Sequence, residues 1–144
     1  MRLLIDTNVV LDYLGTNEGF SDEAEQIFEL ALQRKAIELV SASAITDIYY
    51  VLRRAVKDRE TAIEKLKSIR KVIGILPVTE SDIDKAISRN WKDFEDAVQY
   101  SVAETNGVDY IISRDINGFE ERLIPCFSPK EFLKMIDSGL IQVV

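Results

Sequence analysis

Histidine is absent from this 144-residue chain, and cysteine occurs once, at Cys126. Without imidazole there is no Ser-His-Asp or Cys-His catalysis, and the lone thiol can neither close an internal disulfide nor supply a structural zinc set. Cys126 lies in the apolar run Leu123-Ile124-Pro125-Cys126-Phe127, so it reads as a buried small hydrophobe and not as a nucleophile. Proline and glycine are too scarce, at three and six, for a disordered or collagen-like chain. No apolar run approaches the roughly 18 residues of a membrane span, and Met1-Arg2 leads straight into an apolar strand with no signal-peptide pattern. A cytoplasmic protein with no membrane contact is the expectation. If it is an enzyme, carboxylates and metal are the tools left to it.

What is present is an ordinary globular composition, 47% hydrophobic and 30% charged, of a length that forms a single domain over residues 1–144. Such a domain buries roughly 68–70% of its unfolded surface and needs packing alone to hold it. The net charge of −7 argues at first against a nucleic-acid partner. The charges are segregated, however. Between Arg53 and Lys71 eight basic residues face three acids, a local net of +5 that leaves −12 on the rest of the chain.

Apolar periodicity gives the order of elements. Arg2–Ile5 reads as a buried strand, Val9–Leu14 as a short helix closed by Gly15, and Ser21 as the cap of a helix with its stripe at Ala24, Ile27, Phe28 and Ala31. Ile37–Val40 is a second strand. From Ser43 an amphipathic helix runs through Ile45, Ile48, Tyr49, Leu52 and Val56, and another follows from Arg59 to about Val72. Ile73–Pro77 is a third strand, Ser81–Ser88 and Asp93 to about Asn106 are helices, and Asp109–Ile112 is a fourth strand. A last strand, Leu123–Phe127, precedes a helix from Ser128 to about Asp137; the apolar tail Gly139–Val144 suits an edge strand or an interface. Alternating strands and helices predict an α/β fold, a central parallel sheet with helices on both faces.

In such a sheet the strand C-termini and the N-termini of the helices that follow share one edge, where ligands bind. Asp6 follows the first strand and Asp115 the fourth; Asp47 opens the helix after the second strand, and Asp96 the helix before the fourth. Asp47 stands about 200° around its helix from Ile45, away from the apolar stripe and beside Tyr50 and Arg54. Three of the acids also have a plain structural reading, and Asp6 is harder to dismiss: a first-turn acid favouring the helix dipole, with Asp93 and Glu95, for Asp96, a solvated helical residue for Asp47, a turn for Asp115. Together on one edge, four carboxylates would repel unless hard cations neutralised them. Mg²⁺ or Mn²⁺ prefers oxygen ligands and supports phosphodiester hydrolysis. Without metal, repulsion should raise the carboxyl pKa values, and Asp6→Asn should leave the protein as stable as before or more so.

The same residues resemble a known family. Leu4-Ile5-Asp6-Thr7-Asn8-Val9-Val10-Leu11-Asp12 resembles the opening motif of PIN domains, and Thr46-Asp47-Ile48-Tyr49-Tyr50-Val51-Leu52-Arg53-Arg54 the second acidic helix. Asp93-Phe94-Glu95-Asp96-Ala97-Val98-Gln99-Tyr100 resembles the third motif, Asp109-Tyr110-Ile111-Ile112-Ser113-Arg114-Asp115 the fourth, and Ser128-Pro129-Lys130-Glu131-Phe132-Leu133 the usual ending. The resemblance implies a PIN-like three-layer sandwich and a metal-dependent endoribonuclease. Asp6, Asp47, Asp96 and Asp115 would be its catalytic and Mg²⁺- or Mn²⁺-binding acids, with Asn8 and Ser113 as polar supports. Many relatives are VapC-type toxins of type II toxin–antitoxin pairs, which implies a cognate antitoxin and a homodimer. The basic stretch then becomes an RNA-binding surface, with Arg53, Arg54 and Lys57 on the phosphates.

This chain departs from the family pattern in places. The second acid is Asp47 where Glu is common, and the fourth motif reads Ser113-Arg114-Asp115 and then Gly118-Phe119 where a second Asp before the Phe is common. A phosphoaspartate receiver would need an acid after the third strand, which ends in Leu76-Pro77-Val78. A haloacid-dehalogenase-like phosphatase would need Asp-x-Asp where this chain has Asp6-Thr7-Asn8. The remaining alternative is a catalytically silent PIN-fold interaction module.

Overall fold

The computed structural model describes residues 1–143. Its five strands, β1 (Arg2–Ile5), β2 (Ile37–Ser41), β3 (Gly74–Leu76), β4 (Tyr110–Ile112) and β5 (Cys126–Phe127), pair in parallel in the order β3-β2-β1-β4-β5. β1 is the centre: Leu4 is in register with Leu39 on one side and Ile111 on the other. Strand alternation divides its apolar residues between the two faces. Leu3 and Ile5 enter one core with α1 (Thr7–Tyr13), α2 (Ser21–Leu32), α3 (Ala42–Val56), α4 (Arg59–Arg70) and α7 (Pro129–Asp137). Leu4 enters the other with α5 (Glu80–Arg89) and α6 (Phe94–Thr105). The fold is the three-layer α/β sandwich that the element order implied. No helix among the described residues is long and apolar enough to cross a membrane.

Several boundaries differ from the periodicity for identifiable reasons. A 3-10 turn, Glu18–Phe20, puts Phe20 at the cap of α2, so Ser21 lies inside the first turn. Ser41, at the end of β2, caps α3 through Ser43 N–H. β5 is short because Ile124 gives its N–H to the Tyr100 hydroxyl at 3.1 Å and Leu123 is exposed. Of the apolar tail, Ile141 is buried in the first core and donates its N–H to Met135 O, while Leu140 is exposed. No strand forms there among the described residues, and Val144 lies outside them. Cys126 is buried, and burial pushes its thiol up to about 12.

Candidate active site

α6 carries the site, and it differs from the other helices: every residue from Asp96 to Ala103 is buried, including Asp96, Gln99 and Ser101. A helix covered on all sides shows no apolar stripe, and its polar residues must find partners inside the protein. Asp93 caps its N-terminus by accepting Asp96 N–H at 3.0 Å. The chain reaches α6 at the C-terminal edge of the sheet and leaves toward β4, so Asp96 stands opposite Asp6 at the end of β1.

Asp6 caps α1 and is itself ringed by donors. Its carboxylate accepts Thr7 N–H at 2.7 Å, Gln99 Nε2 at 3.0 Å, Ser113 Oγ at 2.6 Å and Asn8 Nδ2 at 3.4 Å. Asn8 also approaches Ser113 Oγ at 3.4 Å and accepts Arg114 N–H at 3.1 Å, which ties the start of α1 to the loop after β4. Ser113 Oγ in turn accepts Asp115 N–H at 3.0 Å. Burial raises the Asp6 carboxyl despite these bonds.

Asp96 has no such ring. Burial first, then the nearby charges of Asp6, Asp93, Asp115 and Glu95, push its carboxyl up to about 8. Its carboxylate and that of Asp115 border Gly118, where a Cβ would collide with Asp96 Oδ2 and stand 3.6 Å from Asp115 Oδ2. Asp6, Asp96 and Asp115 therefore share one locality. Asp47, exposed on α3, joins it through Glu95, whose carboxyl is raised to about 7 by burial and then by Asp47. No salt bridge among the described residues reaches Asp6, Asp47, Asp93, Glu95, Asp96 or Asp115. Nor do any three described acids converge closely enough to enclose one ion. The donor set is all oxygen and its charge is uncompensated, which fits a hard divalent cation. Gln99 Oε1 and Thr7 Oγ1, buried without hydrogen-bond partners, add polar capacity beside Asp6.

Sequence reasoning gave Asp93 and Glu95 to the helix dipole alone, did not single out Gln99, and noted Gly118 only as a departure from the family pattern. Three acids in the four residues Asp93–Asp96 exceed what a helix start needs, and that was the available signal. The loop after β4 is held by Arg114, whose guanidinium pairs with buried Asp12 at 2.6 Å and lies over the Phe20 ring at 4.0 Å.

The basic residues lie farther along α3. Arg54 is seven residues beyond Asp47, about 10 Å of helix; it is exposed and stacks on Tyr50 at 5.6 Å. Arg53 is partly exposed, and Lys57 caps the far end of α3 with φ 65°. Within α4 the cluster is less free than its charge count implied. Lys65 donates to Leu14 O, Arg70 to Ile73 O, and Lys67 pairs with Glu64.

A parallel α/β domain with an uncompensated acidic edge is thus defined by its own geometry. The family model described as PIN domain matches residues 2–117, and the chain belongs to that family. It is 29% identical over 119 residues to Ribonuclease VapC1 of Aquifex aeolicus (strain VF5), covering 79% of this chain and 81% of the relative. The structure of VapBC2 from Rickettsia felis bound to a DNA fragment from their promoter aligns with a TM-score of 0.65 at 13% identity, over 89% of this chain and 98% of that one. VapC20 of Mycobacterium tuberculosis, a Sarcin-Ricin loop cleaving toxin, aligns with a TM-score of 0.60 at 15% identity, over 76% and 86%.

Proposed function

We propose that this PIN domain is a metal-dependent endoribonuclease of the VapC kind. The observation that carries the reading is the grouping of Asp6, Asp96 and Asp115 at the C-terminal edge of the sheet, with no salt bridge among the described residues reaching any of them. Asp6, Asp96 and Asp115 would hold Mg²⁺ or Mn²⁺ once the ion draws their carboxylates closer than they stand without it, with Asp47 entering beside Glu95. Such an ion supplies hydroxide from water and stabilises charge on the phosphate and the leaving oxygen. Ser113, Asn8 and Gln99 orient Asp6 through their hydrogen bonds, and Gly118 leaves the room that Asp96 occupies. Arg53, Arg54 and Lys57 would contact the RNA backbone. The VapC and VapBC relatives support a toxin held by a cognate antitoxin; on this reading it would act in the cytoplasm as a homodimer.

The test is cleavage of a structured RNA by the wild-type protein, Asp6→Asn and Asp96→Asn, each with Mg²⁺, Mn²⁺ or EDTA. Cleavage confined to wild type with metal is expected. A folded wild-type protein that leaves RNA intact with both metals would make this a silent PIN module.

A further inference from the structure

Arg89 is the last residue of α5, where a base favours the helix dipole, yet its side chain leaves its own helix. The guanidinium directs all three nitrogens to other elements: Nε donates to Ser101 Oγ at 3.1 Å, Nη2 to Glu104 at 2.8 Å and Nη1 to Glu121 at 2.5 Å. It lies 4.7 Å from the centre of the Tyr100 ring and 5.7 Å from that of Trp91. Tyr100, Ser101 and Glu104 belong to α6, which carries Asp96, whereas Glu121 belongs to the loop between β4 and β5, which carries Asp115. We infer that Arg89 is a positioning residue: through Glu121 it clasps that loop to α6 and so fixes the separation of the Asp115 and Asp96 carboxylates. Its consequence for metal binding rests on the proposal that these acids hold an ion.

The loop depends on side chains for its course. At the β4 end it is anchored by Ser113 on Asp6 and Arg114 on Asp12, but beyond the turn Ile116–Gly118 it has no regular structure until β5. There Phe119 packs edge-on against Trp91, Glu120 accepts Lys92 N–H at 2.8 Å, and Ile124 N–H reaches the Tyr100 hydroxyl. Arg122 binds only the carbonyls of Phe119 and Ile116 in its own loop. Among the described residues, Arg89–Glu121 is the one salt bridge that ties this stretch to the helices. Only 11% of the Arg89 side chain is exposed, and covering a guanidinium carries a desolvation cost that its ion pairs need not repay. An apolar side chain would fill the space over Tyr100 and Trp91 without that cost. What the charge adds is direction, because the planar fork sets where Glu121 stands relative to Ser101 and Glu104.

The experiment compares Arg89→Met, Glu121→Ala and Glu104→Ala in the full chain, by amide hydrogen exchange in EDTA and by Mn²⁺ binding followed by electron paramagnetic resonance. Met fills the space over Tyr100, and the side chains of Glu104 and Glu121, 40% and 41% exposed, are open to water, so all three variants should fold. Glu121→Ala and Glu104→Ala take the same charge from the same guanidinium, but only Glu121 belongs to the loop of Asp115. Arg89→Met and Glu121→Ala should speed exchange of the Asp115, Gly118 and Phe119 amides about 10-fold, with the β1 amides as slow as before. Both should also weaken Mn²⁺ binding roughly 10-fold. Glu104→Ala should match wild type in the two measurements. Loop exchange at the wild-type rate, the same effects from Glu104→Ala, or faster loop exchange with full Mn²⁺ affinity would overturn the positioning role. A wild-type protein that binds no Mn²⁺, in which the variants still show this exchange pattern, would sink the metal reading and leave the clasp standing.

Discussion

Asp6 and Asp96 show how differently one residue type is treated at a single edge. Repulsion among the acids led to the expectation that removing the Asp6 charge would relieve strain, but four donors converge on its carboxylate. An amide at this position must turn its NH₂ toward some of those donors. Asp6→Asn should therefore cost the metal-free protein about 1–3 kcal/mol. Asp96 accepts no comparable bonds and sits among like charges, so Asp96→Asn should instead stabilise the metal-free protein. The gain, discounted for solvent screening, should be on the order of 1 kcal/mol at neutral pH. Because the folded Asp96 keeps its proton up to about 8, that gain is absent near pH 4 and grows as pH rises. Urea melts of both variants at several pH values test the contrast; a stabilised Asp6→Asn would return the first expectation to favour. Glu38 makes a cleaner case away from the site. It points from β2 into the interior, both of its oxygens lack hydrogen-bond partners, and burial raises its carboxyl to about 8, an effect only partly offset by the approach of the Ala31 backbone. The raised folded value means that stability is full below about pH 4.5 and falls as pH climbs to about 8, by about 1.4 kcal/mol per unit at most. Glu38→Leu should remove that slope, gaining several kcal/mol near pH 8 and little near pH 4; parallel pH–stability curves would contradict it. Ile37–Val40 was legible as a strand, but the burial of Glu38 with its carboxyl unpartnered was not, since that depends on how the helices pack over the sheet.

Among the elements, β1, α3 and β4 were legible because their apolar periods are clean, and they place Asp6, Asp47 and Asp115. α6 was found from its acids and its position before β4. The burial of its middle, Asp96–Ala103, was not, because beside α5 it is covered by Phe119 and Ile124 from a segment that has no regular pattern. Gly118 immediately precedes that segment, at the end of the 3-10 turn Ile116–Gly118. Where the family commonly has an acid before the Phe, this glycine leaves room for the Asp96 carboxylate in the position it takes here. Gly118→Ala forces the Asp96 carboxylate to move, so RNA cleavage should fall by roughly 10- to 100-fold, the upper figure being the scale of a 1 Å misplacement. Thermal stability should change by no more than about 1 kcal/mol. Unaltered cleavage would mean that Asp96 moves without consequence for the site. The Arg114–Asp12 pair joins the same loop to α1 with Asp12 almost wholly buried. Arg114→Ala leaves that carboxylate unpaired and should cost about 3–5 kcal/mol. The double replacement with Asp12→Leu should recover most of the loss; a single variant that melts like wild type would show that water satisfies Asp12.

At the scale of the molecule, the acidic edge is a liability in the metal-free state that an ion would offset. Mg²⁺ or Mn²⁺ binding only the folded protein should raise its stability by roughly 2.7 kcal/mol at a hundredfold excess over the dissociation constant. The increment should nearly vanish in Asp96→Asn, and an equal shift in wild type and variant would put the ion elsewhere. The sheet order also has a temporal meaning. β1 lies between β2 and β4, so its far-side partner and Asp115 are made only after most of the chain, and the loop that holds Asp115 is braced back onto Asp12 near the start. No contiguous fragment short of residues 6–115 contains the four aspartates. On the proposed activity, a chain still emerging from a ribosome is harmless to the RNA that makes it, and hydrolysis begins only when the sheet closes around its first strand.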